Sequence, residues 1–306
     1  MFHYKILTTA TTLQIPQYRH QLNKFIHSVM IFWLIVSCLM ILLASNIAMA
    51  QTDKPDEEDR KRAQPEGFFY GIALTYSDAI YKGVDNSANV LPIIGYSGDR
   101  LEIYGPLLNY RLTKAGLFEL SALLKLRFDG FDGSDDIIFQ GMSKRRSSID
   151  IGLVMDYQIN LWKFRVSGTH DSLDRSNGAE IITTVGRVFR VGPLVIEPSI
   201  GLNYLDSNHI DYYYGVSSTE ATVNRPQYFG KSANNTSLGI DFSTPIFFGG
   251  ISRLGIEYTY LDASLVDSPL TDSDTSRTFI YSFATFFCSL PHVVHYVSIM
   301  ILVSFL

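Results

Sequence analysis

The sequence predicts an all-β protein: an antiparallel transmembrane β-barrel with an even number of strands, 10 or 12. Three observations carry that expectation. Apolar residues recur at every second position through most of 67–287, the period of a strand with one apolar and one polar face. The alternating segments run about 9–12 residues, the length of a tilted membrane-spanning strand, against about 5–6 for soluble strands. Aromatic residues mark their ends, as in interfacial girdles: Phe68, Tyr76, Phe118, Phe128, Tyr157, Trp162, Tyr204, Tyr258 and Tyr260. A soluble sandwich also alternates, but segment length, girdles and an export signal favour the barrel.

The N-terminus, residues 1–50, reads as a signal peptide. Lys24 precedes an unbroken apolar run, Val29 to Leu43, and Ala48-Met49-Ala50 places small residues ahead of a cleavage point. Two other readings stay open. The run could remain as a signal anchor, although it falls short of the ~20 residues of a bilayer helix. Ile35-Val36-Ser37-Cys38 also resembles a lipobox, although Leu39 to Leu43 stay apolar where a lipoprotein turns polar. Residues 51–66 are charged and contain Pro55 and Pro65, the composition of a solvated periplasmic linker.

The strands follow. In 118–128 the apolar set is Phe118, Leu120, Ala122, Leu124, Leu126 and Phe128, with Glu119, Ser121, Lys125 and Arg127 between and Leu123 the exception. In 149–159 it is Ile149, Ile151, Leu153, Met155, Tyr157 and Ile159; in 194–204 it is Leu194, Ile196, Pro198, Ile200, Leu202 and Tyr204. Segments 236–244 and 254–260 repeat the pattern. Short connections near 97–99, 159–160, 191–193 and 248–250 alternate with long ones at 78–88, 129–147, 172–178, 206–232 and 262–276. That is the asymmetry of short periplasmic turns and long outer loops. A direct count gives eleven strands. Both chain ends on one side require an even number, and the ambiguity lies in 89–116, where two short connections follow each other.

The barrel is expected to close at an aromatic strand, Phe279, Tyr281, Phe283 and Phe287. Residues 288–306 then add an uncharged apolar tail, atypical for such an ending and read as a frameshift or altered stop. Resequencing tests this reading: an intact frame with the tail present in the purified protein removes it.

Charge and cysteine exclude several function classes. Residues 1–50 hold Lys5, Arg19 and Lys24 and no acid, leaving 22 basic and 30 acidic residues beyond them, a net of −8. That argues against nucleic acid as a partner, since phosphate binding needs clustered Lys and Arg. The two cysteines, Cys38 and Cys288, lie at the extremes. They exclude a disulfide-stapled scaffold and a thiolate metal cluster.

Four stretches resemble the MipA/OmpV family of Gram-negative outer-membrane proteins. They are Tyr81-Lys82-Gly83 with Leu91-Pro92-Ile93-Ile94; Gly130-Phe131-Asp132 through Gln140-Gly141-Met142; Tyr213-Tyr214-Gly215-Val216 with Glu220-Ala221 and Tyr228; and Asp267-Ser268-Pro269-Leu270. The resemblance implies an outer-membrane β-barrel. It also implies a scaffold for peptidoglycan-remodelling enzymes, a murein transglycosylase and a penicillin-binding protein. Family members are also described as adhesins or as affecting solute passage, so the resemblance leaves the biochemical role open.

Candidate chemistry is sparse. Asp129, Asp132, Asp135 and Asp136 could offer carboxylates to Ca²⁺ but lack the EF-hand spacing. A solvated acidic loop is the competing reading. Lys144-Arg145-Arg146 could contact lipopolysaccharide or simply exit a charged loop. Tyr212, Tyr213 and Tyr214 could form a recognition surface or pack the longest loop onto the rim, and Glu220 could pair with Arg225. His170, Asp171 and Ser172 are neighbours on a strand and point to opposite faces, so no catalytic triad is expected. No cofactor or metal site is expected. If apolar positions face lipid, then Glu119, Lys125, Arg127, Asp150, Asp156, Lys163, Arg165, Glu197, Asp241 and Glu257 face the lumen. Their mixed signs suggest ion pairs that fill a narrow interior, with a small polar channel as the alternative.

Overall fold

The structure, a computed structural model, describes residues 66–246 and 250–287. The expected signal peptide, nearly all of the linker, the apolar tail and the turn at 247–249 lie outside the described residues. No described helix is long and apolar enough to cross a membrane.

Thirteen strand segments form one antiparallel sheet. In chain order they are β1 (Gly67–Ser77), β2 (Ser87–Ser97), β3 (Leu101–Tyr104), β4 (Leu107–Ala115), β5 (Phe118–Arg127), β6 (Ser148–Ile159) and β7 (Trp162–Asp171). They continue with β8 (Ala179–Arg187), β9 (Phe189–Val191), β10 (Leu194–Leu205), β11 (Ala233–Ile246), β12 (Gly250–Tyr260) and β13 (Thr275–Phe286). β8 and β9 both pair with β10 and are one strand interrupted at the buried Val188. Counting them as one gives a closed barrel of twelve strands. Closure is made by β13 against β1, from Phe69↔Phe286 to Ser77↔Thr278.

The even number resolves the count of eleven. The strand that direct counting misses is β3, four residues between two tight turns. It is too short to show a period of two.

Cross-strand partners share a face, so the register sorts the side chains. Leu126, Ile151, Leu153, Met155, Ile181, Ile200 and Leu202 are exposed on the apolar, lipid-directed face. Ser121, Arg127, Ser148, Asp150, Thr169, Glu180 and Asn235 are buried on the other. Just past the last strand, the Phe287 N–H donates to Phe68 O at 2.9 Å and the Phe287 ring meets Tyr70 at 4.5 Å. At the end bearing the short turns, Arg187 lies 5.3 Å from the Trp162 ring and 5.1 Å from that of Phe189.

The long connections pack at the opposite end. They carry a 3₁₀ turn at Ile137–Phe139, helix α1 (Ser207–Tyr214) and helix α2 (Ala263–Val266). Each starts on an aspartate whose carboxylate accepts an otherwise orphaned N–H: Asp136 from Ile138, Asp206 from His209 and Asp262 from Ser264. Two small apolar cores tie the loops together. One joins Phe131, Phe139, Met142, Val216 and Leu270; the other joins Leu205, Ile210, Ala233 and Leu265.

Candidate functional site: the capped outer half of the barrel

Beneath the loops, the interior face of β5 to β10 holds a buried charge network. Arg127 donates through Nε to Asp150 at 2.8 Å and through Nη2 to Asp150 at 2.6 Å and Glu180 at 2.5 Å. Its Nη1 reaches Asp129 at 3.0 Å. Lys125 pairs with Glu180 at 2.5 Å and lies 4.0 Å from Asp150. Asn203 donates to the second Glu180 oxygen at 2.9 Å. The network therefore reaches from β5 across the interior to β8 and β10. Burying these charges is tolerable because each has an opposite partner.

Further pairs line the same face toward the inner end. Glu119 meets Arg111 at 2.9 Å, Asp156 meets Arg165 at 2.7 Å, and Asp241 meets Arg253 at 2.9 Å. Lys163 pairs with Glu197. Glu257 has a Thr259 hydroxyl at 3.5 Å. The structure thus brings Lys125, Arg127 and Asp150 into one cluster, distributes Glu119, Asp156, Lys163, Arg165, Glu197 and Asp241 into separate ion pairs, and sets Glu257 beside the Thr259 hydroxyl.

Sequence reasoning missed Glu180, Arg111 and Arg253. On β8 the two faces read Glu180, Ile182, Thr184, Gly186 and Ile181, Thr183, Val185, with little polarity contrast. At Arg111 a register shift between Arg111 and Thr113 breaks the alternation. Arg253 lies one residue before the 254–260 segment recognised by its pattern.

Tyr81 and the other three family-like stretches meet in the cap, while Leu91-Pro92-Ile93-Ile94 lies in the wall strand β2. Tyr81 stacks on Tyr214 with centroids 5.3 Å apart and sits edge-on to Phe131 and Phe139, each at 5.5 Å. Its hydroxyl donates to Tyr213 O at 3.2 Å. Tyr213 is fully buried and donates to Arg146 O at 3.3 Å; the Arg146 N–H donates to Tyr212 Oη at 2.9 Å. Burial raises the phenol pKa of Tyr81, Tyr213 and Tyr214. Val216 bridges to Tyr228, whose hydroxyl donates to Ser264 O at 2.7 Å. Ser268 Oγ donates to Tyr214 O at 2.7 Å. Gly215 is buried at the end of α1, Pro269 is half-buried beside Ser268, and Ala221 is exposed. The tyrosines therefore pack the loop inward.

Glu220 and Arg225 do pair, but not as side-chain ions. Arg225 Nε donates to the main-chain oxygen of Glu220 at 3.1 Å. The Glu220 carboxylate instead takes Arg145 at 3.0 Å and the N–H of Ser143 at 2.8 Å. Burial alone would raise its pKa; donors from Ser143, Arg145 and Ser217 outweigh that and hold it at about 2.

The acidic loop is spent locally. Asp129 holds Arg127, Asp132 holds Lys144 at 2.8 Å, Asp135 accepts the Asp132 N–H at 2.6 Å, and Asp136 caps the 3₁₀ turn. His170 Nδ1 lies 2.9 Å from Gly178 O, Ser172 Oγ donates to Ile149 O at 2.6 Å, and Asp171 accepts the N–H groups of Leu173, Ser176 and Asn177. These three residues fasten one loop. Of the Lys144-Arg145-Arg146 run, two cations are thus engaged within the cap.

The model of the family "MltA-interacting protein MipA" matches residues 70–287. The chain is 28% identical over 214 residues to the "Putative outer membrane protein YiaT" of Escherichia coli K12, covering 69% of this chain and 87% of that one. It is 29% identical over 219 residues to the "MltA-interacting protein" of the same strain, covering 69% and 86%. It is 26% identical over 199 residues to the "Outer membrane protein OmpV" of Vibrio cholerae serotype O1, covering 64% and 77%. The matched region coincides with the whole barrel and its cap, and the chain is a β-barrel of the outer membrane that belongs to the MltA-interacting protein MipA family.

Proposed function

We propose that the protein is a non-enzymatic scaffold of the Gram-negative outer membrane. It is exported by its N-terminal signal and holds peptidoglycan-remodelling enzymes, a murein transglycosylase and a penicillin-binding protein, at the periplasmic face. The observation that carries this reading is the interior. Lys125, Arg127, Asp150 and Glu180 neutralise one another along the β5–β10 wall below a packed cap, and Asn203 donates to Glu180. Such an interior serves a structural wall better than a solute path. A relative named for interaction with MltA supports the choice of partner class. The surface left for such partners is the short inner turns and the charged 51–66 segment. Outer-leaflet lipid and lipopolysaccharide surround the barrel, and the exposed Arg146 is the cation best placed to touch a lipid phosphate.

Affinity capture of envelope proteins on the purified barrel, run beside planar-bilayer conductance, tests the proposal. Recovery of a murein hydrolase with a silent bilayer is the expected result. Stable ohmic steps with no murein enzyme recovered would replace the scaffold with a narrow channel. That second reading draws on the inner half, where Arg165 and Arg253 are exposed rather than buried. An adhesin acting through the long 206–232 loop would instead lose binding when that loop is removed.

A further inference from the structure

The barrel wall is incomplete on one side. β2 pairs with β1 along its full length, from Gly67↔Ser97 to Ser77↔Ser87. Against β3 it pairs only through Gly95, Tyr96 and Ser97. The β3–β4 hairpin turns back at Gly105-Pro106, and β4 continues the sheet to β5 from Leu107↔Lys125 downward. Above that turn the outer edge of β2, residues 87–94, has no strand partner among the described residues.

The gap has a frame. Its floor is the hairpin tip, Tyr104 to Leu107. Its far side is the upper end of β5 and Phe128. Its roof is the meeting of the 78–86 and 128–147 loops: a Cβ on Gly83, which has φ +79°, would lie 2.9 Å from Asp136 Oδ1. The backbone opening spans up to three inter-strand spacings, roughly 14 Å.

Its rim is apolar and its inner threshold is apolar too. Val90 is 65% exposed, Ile94 70%, Phe128 73% and Ile137 79%. On the interior face the path continues over Leu91, itself 49% exposed, to the Phe69, Ala73 and Ile93 cluster and to Tyr104, 5.6 Å from Phe69. An apolar strip inside an outer-membrane barrel departs from the usual polar lumen. It stands opposite the charged β5–β8 wall.

The sequence also guards the edge against strand addition. The Gly98 N–H to Leu101 O bond, 3.0 Å, sets the phase, so even-numbered residues of β2 turn their N–H and C=O groups toward the gap. Pro92 stands in the middle of that row and has no N–H to donate. Proline on an exposed edge blocks pairing with another strand. The edge is therefore suited to remain open rather than to accept a second copy.

We infer that the gap between β2 and β5 is a lateral window through which the acyl chain of a membrane amphiphile enters from the outer leaflet and rests on the inner apolar strip. The test is fluorescence quenching in vesicles of phosphatidylcholine carrying brominated acyl chains, using the full chain with Trp33 and Trp162 replaced by Phe. Single tryptophans are placed at the inward position Leu91→Trp, at the lipid-facing Val90→Trp, and at Ser167→Trp on the interior face of the opposite wall. Heat-modifiable gel mobility confirms insertion, and Asn89→Trp, on the same inward row, replaces Leu91→Trp if that variant fails to insert. Quenching of Leu91→Trp comparable to Val90→Trp, and severalfold above Ser167→Trp, is expected. Quenching of Leu91→Trp no greater than that of Ser167→Trp overturns the window. So does oxidative dimerisation of a Val90→Cys variant in which Cys38 and Cys288 are replaced by Ser, which would show a second copy covering the edge.

Discussion

Glu220 shows how single residues hold the cap. Its carboxylate is held at about 2, below the usual carboxylate range, because donors from three residues outweigh the cost of burial. The folded-state value is depressed, so the stabilisation is fully present above about pH 4.5 and is lost as pH falls through about 2. Pepsin cleavage of the cap loops should therefore accelerate across that window. E220Q should cleave faster at pH 5 and change less on acidification; an identical acid profile for both proteins would contradict the assignment. Arg127 matters more, since it neutralises Asp150 and Glu180 together. R127A leaves two buried carboxylates short of a partner and should cost about 3–5 kcal/mol, measured as a lowered urea midpoint for refolded barrel. Adding E180Q should return part of that loss, because the two sites are coupled.

At the scale of the strand, close backbone approach decides which positions accept a side chain. A Cβ on Gly152 in β6 would lie 1.9 Å from the main-chain oxygen of Gly168 in β7, whereas a Cβ on Gly168 meets nothing within 4 Å. G152A should destabilise the barrel by about 3 kcal/mol through overpacking that backbone cannot relieve. G168A should stay within about 0.5 kcal/mol. Heat-modifiable mobility distinguishes the two. Legibility in the sequence also varied by strand. β5, β6 and β10 alternate readably because one face meets lipid and the other is mostly charged or small and polar, with Leu123, Val154 and Val195 the exceptions. β3 has four residues and no readable period. β8 carries Ile182 inside and Thr183 outside, so its Glu180, central to the network, did not stand out. The bulge at Arg111 concealed another interior cation.

At the scale of the whole molecule, closure and capping are separate devices. No residue of 217–227 belongs to a strand, so deletion of that segment should leave the heat-shifted barrel intact. Two barriers remain to be compared, the cap and the Arg127 network beneath it. Deletion alone should stay silent in planar bilayers, because the network still fills the β5–β10 side of the interior beneath it. Deletion combined with R127A should give stable conductance steps. Conductance from the deletion alone would assign the seal to the cap.

Sequence by itself determined the barrel, its even strand number, the gathering of short and long connections at opposite ends, and which charges of β5, β6 and β7 share a face. Those properties follow from a local rule, the alternation that a strand needs between lipid and interior. Tertiary structure decided what the rule cannot express. Which charges meet is set by register and by the curvature that brings β5 opposite β8. Which tyrosines turn inward is set by loops 50 or more residues apart packing on one another, as Ser268 does with Tyr214. The incomplete wall beside β2 is likewise invisible in the chain, because an unpaired edge is defined by the length of its neighbour.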